Sequence, residues 1–157
     1  MLKLREVSDK DCMLIWEWSN NPDVRAVSFS QEPIPYEDHV KWFESKLNDM
    51  SCYFYIAEDI NQTPVGQVRY DLEGNEATIS VSLDRKFRDK GYGTSLIRLA
   101  SQKLFDISDV DLIHAYVRRG NQASVKAFKK AGFILVGTTA IKNCQASHLI
   151  AKKRELA

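Results

Sequence analysis

Leu83-Asp-Arg-Lys-Phe-Arg-Asp-Lys-Gly-Tyr-Gly-Thr94 is the stretch on which the fold turns. Before it, Ala77, Ile79, Val81 and Leu83 alternate with Thr78, Ser80 and Ser82, the period of a strand with one apolar face. After it, Gly93, Ile97, Ala100 and Leu104 recur at helical spacing, and Leu96 and Leu99 widen the stripe. The stretch is therefore a strand-to-helix turn. Gly91 and Gly93 let the backbone come close to a ligand, and the orphan N–H groups at the positive end of the following helix suit an anion. An ordinary α/β connection carries the same features, so its purpose has to come from the rest of the chain.

Working outward, residues 2–7 read as a first strand. Ser8 or Asp9 caps a helix running to about Asn20, where Asn20-Asn-Pro-Asp23 ends it, and a short turn covers 24–27. Pro35 precedes a helix over 37–47 with Val40, Phe43 and Leu47 as its stripe. Three strands follow, Cys52–Glu58, 64–72 and Glu76–Leu83, separated by hairpin chemistry at Asp59-Ile-Asn-Gln62 and Glu73-Gly-Asn75. Beyond the turn come a helix over 91–105, a strand over 111–118, a helix over 121–131 stopped by Gly132, and closing strands over 133–140 and 145–152 joined around Lys142-Asn143. The expected class is α+β, a mixed antiparallel and parallel central sheet with flanking helices, in one domain spanning 1–157.

Composition narrows the partners. The 157 residues suffice for a core without staples, and the net charge of +1 gives no basic footprint for nucleic acid or a membrane surface. Cys12, Cys52 and Cys144 have no metal-like spacing, and an odd count fits reduced thiols in the cytoplasm. No stretch near the length of a membrane span and no cleavable leader is evident, and no metal is expected.

Two motifs in order carry a resemblance. Arg88-x-x-Gly91-x-Gly93 at the strand–helix junction, then Asn121-x-x-Ser124-x-x-x-Phe128-x-x-x-Gly132-Phe133, resemble the signatures of the GCN5-related N-acetyltransferases, over nearly the whole chain. The resemblance implies an acetyl-CoA N-acetyltransferase (GNAT) fold with acetyl-CoA as co-substrate. It places the CoA diphosphate on the backbone N–H groups of Arg88, Asp89, Lys90, Gly91, Tyr92, Gly93 and Thr94. It also implies that the strand ending at Ser82 and Leu83 splays from its parallel neighbour and offers unpaired backbone groups to pantetheine. Asn121 either caps its helix or bonds pantetheine, and Lys129 is a candidate for the 3'-phosphate.

The same resemblance frames the chemistry. Acetyl transfer needs a base to strip an ammonium, donors for a tetrahedral oxyanion, and an acid for the departing thiolate. Many relatives use a tyrosine as that acid where this chain has Phe128, so Ser124, a water, Tyr116 or Tyr70 has to substitute. Glu76 and His39 are the candidate bases, with His114 a supporting residue. No neighbouring base in sequence activates a cysteine.

For the acceptor, Trp16-Glu-Trp-Ser-Asn-Asn-Pro-Asp-Val-Arg25, with Phe29, Glu37-Asp-His39 and Trp42-Phe43, resembles the branch that acetylates the 4-amino group of nucleotide-linked dideoxy sugars in pseudaminic-acid-type synthesis. It implies a UDP-linked amino sugar as the small-molecule partner, with Trp16, Trp18 or Phe29 against a ring, Arg25 at the diphosphate and His39 nearby. Acetylation of protein N-termini or of small amines and antibiotics is the alternative, and an acyl-CoA sensor the non-enzymatic one. A homodimer is a family-level expectation.

Overall fold

The computed structural model describes residues 1–153, so residues 154–157 of the expected single domain lie outside it. Seven strands form one sheet in the order β1-β2-β3-β4-β5-β7-β6. They are β1 (Lys3–Glu6), β2 (Cys52–Glu58), β3 (Pro64–Glu73), β4 (Glu76–Leu83), β5 (Leu112–Arg118), β6 (Ile134–Ile141) and β7 (Cys144–Lys152). Five α-helices flank it: α1 (Cys12–Ser19), α2 (Pro22–Ala26), α3 (Tyr36–Leu47), α4 (Tyr92–Ile107) and α5 (Gln122–Lys130). The expected mixed α+β class holds.

Side-chain alternation divides the sheet into two unlike faces. Ala77, Ile79, Ile113, Ala115, Val117 and Leu149 point to a large core with Leu96, Ile97, Ala100 and Leu104 of α4 and Phe128 of α5. The other face packs Phe54 and Ile56 against Ile15, Trp18 and Phe43 of α1 and α3. Complete burial of Ile15 and Ile56, and near-complete burial of Phe43, stabilises this smaller cluster by about 1.5–3 kcal/mol per side chain. Since α1 and α3 cover β2 and β3, the same face of β4, β5 and β7 carries polar side chains instead.

Local chemistry sets the joints. Lys142 and Asn143 both adopt positive φ, 47° and 65°, as a two-residue type I′ hairpin requires. Pro22, which reads in the sequence as a helix stop, also starts α2: Asn21 Oδ1 accepts from the Asp23 amide at 2.9 Å, and the fixed φ of proline suits the first turn. The expected single helix from Ser8 to Asn20 is instead a short 3-10 turn, Asp9–Asp11, running into α1. Arg5 explains the break, because its guanidinium grips both Asp11 oxygens, at 2.9 and 3.0 Å, and also Glu58.

The feature that makes a site is a failure of pairing. β4 and β5 are parallel partners only from Glu76 to Thr78 against Leu112 to His114. On its other edge β4 stays paired with β3 as far as Leu83 opposite Gly66. Gly66 is required there, since a Cβ would stand 2.6 Å from the Ser82 carbonyl oxygen. From Ile79 onward the β5-facing edge of β4 is open.

Candidate active site

The fork between β4 and β5 opens into a cleft of about 900 Å³ that runs from one face of the sheet to the other. On the α4–α5 side it is lined by Val81, Leu83, Gly91, Gly93, Thr94, Ile97, Asn121, Ser124 and Phe128. On the α1–α2 side it is lined by Asp23, Val24, Val27, Ser28, Phe29, Ser80, Ser82, Tyr116 and Arg118.

In the turn between β4 and α4, Asp89 and Gly91 have φ of 61° and 83°, so the backbone curls ahead of the helix, a conformation that can gather successive amides around an anion. Gly91 precedes α4 in the left-handed region, and a Cβ there would meet nothing within 4 Å; its value is conformational rather than spatial. Gly93 differs, because a Cβ would touch Leu83 and Ala127 at 3.6 and 3.8 Å, ordinary contact distances at the wall of the cleft. Arg88, at the mouth, donates to the Leu83 carbonyl at 3.4 and 3.3 Å and pairs with Asp23 of α2 at 3.3 Å. Lys90 and Tyr92 of the same turn do not line the cleft; Tyr92 packs edge-on against Phe87.

On α5 the capping and the cleft-lining readings coincide. Asn121 Oδ1 accepts from the Ser124 amide at 3.3 Å while the residue also lines the cleft. Phe128 is buried edge-on to Phe133 at a ring separation of 5.1 Å and brings no proton. Hydroxyls nearby belong to Ser124 and Tyr116, both in the lining. Tyr70 is remote from this role: it is fully buried, hydrogen-bonded to Ser101 Oγ at 2.8 Å, and burial pushes its hydroxyl far above the usual tyrosine range. Lys126 and Lys130 line the cleft, whereas Lys129 does not.

Several residues expected at the acceptor are placed elsewhere. Arg25 folds back on its own loop, donating to the carbonyls of Ser19 at 2.9 Å, Ser30 at 2.8 Å and Glu32 at 3.3 Å. The Trp16 indole N–H is held by the Ile34 carbonyl at 2.8 Å, outside the cleft, with its ring edge-on to Tyr36. His39 is buried on α3 with Nε2 2.9 Å from the Cys12 carbonyl, and burial lowers its pKa without bringing it to the fork. Glu76 stands at the paired end of β4, roughly 23 Å of strand from Leu83, with its carboxylate on His114 Nε2. Phe29 alone of these reaches the lining, and Asp23, Arg118 and Val24 are there without having been singled out. Their signal in the sequence was weak because α2 and the end of β5 meet only through tertiary contacts: Arg118 donates to the Ala26 and Ser28 carbonyls at 3.0 and 3.3 Å.

Covalent catalysis has no support in the thiols. The three cysteines are unpaired, and burial, then Asp71, pushes Cys52 up to about 11. Among the described residues no group of His, Cys, Asp and Glu is arranged for a metal, and no helix is long and apolar enough to cross a membrane.

Residues 1–134 match the acetyltransferase (GNAT) domain, and the chain belongs to that family of acetyl-CoA-dependent N-acetyltransferases. It is 24% identical to the acetyltransferase PseH of Campylobacter jejuni over 139 residues, 86% of each chain. It is also 26% identical over 133 residues to an uncharacterized protein of Methanocaldococcus jannaschii, spanning 83% of this chain but only 27% of that larger protein. The spermidine N-acetyltransferase of Vibrio cholerae, solved with CoA and spermine, shares the fold at a TM-score of 0.88 and 17% identity over 99% of this chain and 97% of that one. The aminoglycoside acetyltransferase AAC(6')-Ib, solved with coenzyme A, does so at 0.85 and 21%, over 99% and 96%.

Proposed function

We propose that the protein transfers the acetyl group of acetyl-CoA to the 4-amino group of a UDP-linked dideoxy amino sugar. The observation that carries the choice is the charge of the cleft. On the acceptor side its charged residues are Arg118 and Asp23, and Asp23 is itself paired with Arg88, while Lys126 and Lys130 stand on the α5 wall beside CoA. A polyamine or an aminoglycoside is a polycation and calls for clustered carboxylates, which this cleft lacks; a nucleotide diphosphate is an anion and calls for arginine. Phe29, Val24 and Val27 give the acceptor side an apolar wall for a ring, and Arg118, whose Nη1 is held by the Ala26 and Ser28 carbonyls, offers its remaining N–H groups for the diphosphate role expected of Arg25. The motif resemblance to the sugar-nucleotide branch supports this reading.

Acetyl-CoA enters with its diphosphate on the turn from Arg88 to Thr94 and its pantetheine along the open edge of β4. The thioester carbonyl then lies where β4 amides between Ile79 and Leu83 are unpaired, and these stabilise the oxyanion as the amine attacks. Ser124 and Tyr116 deliver a proton to the departing thiolate in place of the tyrosine absent at Phe128. Competition with UDP tests the acceptor side. UDP inhibits acetyl transfer competitively against the acceptor in the wild type and loses affinity in Arg118→Gln; indifference to UDP contradicts the sugar-nucleotide reading.

A further inference from the structure

Glu76, His114 and His148 form one connected chain of hydrogen bonds on the acceptor face, beside the fork. Glu76 Oε1 bonds His114 Nε2, and His114 Nδ1 lies 2.8 Å from His148 Nε2. The rings of His114 and His148 stack at 5.0 Å, and Tyr116 covers His148 at 4.6 Å with only 15° between planes. Tyr116 lines the cleft, so His148 lies one ring away from it. Tyr116 pairs with His148 across β5 and β7, whereas the last β4–β5 pair is Thr78 with His114. The chain therefore starts where the two strands still touch and ends where they part.

With Glu76 ionised and His114 neutral, one tautomer at each ring satisfies both contacts. An ionised Glu76 only accepts, so His114 Nε2 carries a proton and donates it. Neutral His114 then presents a bare Nδ1, which accepts from His148 Nε2–H. The remaining nitrogen, His148 Nδ1, is left with its lone pair and no partner among the described residues. A carboxylate two rings away thus sets the one open acceptor in the group.

We propose that His148 takes the proton from the acceptor ammonium, with His114 and Glu76 as positioning residues that hold it in its receptive tautomer; this rests on the acetyl-transfer reading above. The ammonium N–H breaks and its proton passes to His148 Nδ1, directly or through one water. The freed nitrogen lone pair forms the C–N bond to the thioester carbonyl carbon. Collapse of the oxyanion breaks the C–S bond, its electron pair leaves on the CoA sulfur, and the second proton on the nitrogen passes, by way of the Ser124 or Tyr116 hydroxyl, to that thiolate. The new imidazolium keeps its Nε2–H on His114.

The surroundings keep His148 neutral before it acts. Burial, then the neighbouring His114, lowers its pKa from the ordinary histidine value. The groups facing it are His114 and Tyr116 on β5, with Glu76 behind on β4; β6 sets Gly137 opposite it and carries no titratable side chain. A neutral base is the active form, so kcat/KM falls as pH drops through a pKa below 6.5.

The test uses the full chain with histidine labelled in ¹⁵N and ¹³C, and acetyl-CoA with a UDP-4-amino-4,6-dideoxy sugar. In the wild type the expected NMR signature is the neutral Nε2–H tautomer at both His114 and His148, and Glu76→Gln mixes the tautomers. His148→Gln is expected to lower kcat about 100-fold and abolish the acidic limb, with CoA affinity unchanged as evidence of a folded site. Glu76→Gln is expected to lower kcat less. A neutral Nδ1–H tautomer at His148, or a His148→Gln enzyme that keeps the wild-type kcat and limb, overturns the proposal. If the wild type leaves the sugar nucleotide unmodified, the acceptor reading fails on its own, and the tautomer at His148 still decides the relay.

Discussion

The Trp18 indole N–H donates to Asp84 Oδ2 at 2.8 Å, joining the first helix to the residue that follows β4, 66 positions later. Asp84 Oδ1 meanwhile accepts from the Lys86 amide at 3.0 Å and caps the short turn Arg85–Phe87. One carboxylate thus fixes the root of the β4–α4 turn to α1. Asp84→Ala removes a charge-assisted bond and a cap together, and a loss of about 2 kcal/mol is expected. Urea unfolding measures it, and a rise in the KM for acetyl-CoA should accompany it.

Gly91 and Gly93 separate conformation from space. Alanine at Gly91 has to hold a φ of 83° and costs about 1–2 kcal/mol of local strain, which unfurls the turn. Alanine at Gly93 meets only ordinary contacts. Calorimetric titration with CoA is expected to show a clear loss of affinity for Gly91→Ala and a smaller one for Gly93→Ala. Equal affinities would remove the turn from the binding account.

Arg88 bridges the Leu83 carbonyl and Asp23, and its pair with Asp23 is a surface one. Such pairs add little to stability. Arg88→Gln is therefore expected to leave the melting temperature within a degree or so while raising the KM for acetyl-CoA about tenfold, as loss of one charge-assisted contact predicts. Unchanged KM with a lowered melting temperature would reverse that assignment.

Ser124 and Tyr116 are two of the hydroxyls in the cleft lining. Ser124→Ala keeps the Asn121 cap, which uses the Ser124 backbone amide, so helix α5 is preserved. The expected result is a fall in kcat with little change in CoA affinity, larger in the Ser124→Ala/Tyr116→Phe double variant. An unaltered kcat in the double variant leaves the thiolate to depart unassisted.

Acid stability reports on Asp11. Burial raises its carboxyl, but hydrogen bonds from Arg5 and Ser8 outweigh that and hold it below the ordinary aspartate value of 3.8. A folded pKa below the unfolded one gives stability that is full above about pH 4 and lost as pH falls through the lower folded value. Asp11→Asn is expected to flatten that part of the urea-midpoint profile and to lower stability at pH 7.

The fold was legible because its signals were local. Alternation in Ala77 to Leu83, the glycine turn and the stripe from Gly93 to Leu104 each need only neighbouring residues to be read, and all three appear where the sequence puts them. Asn121 and Ser124 were legible as a helix start for the same reason. The acceptor side was not. Arg25 and Arg118 carry identical side chains, and only tertiary contacts turn one into its own loop and set the other in the cleft. His148 was passed over because β7 must lie beside β5 before its ring meets His114 and Tyr116. Pro22 deceived in another way, ending one helix and opening the next.

The most direct measurement is acetyl transfer, followed by CoA thiol release and product mass, with a UDP-4-amino-4,6-dideoxy sugar against spermidine, kanamycin and N-terminal peptides. The account predicts a product heavier by one acetyl group on the sugar nucleotide, with kcat/KM far above that for the polycations. Preference for spermidine or kanamycin would contradict the charge reading of the cleft.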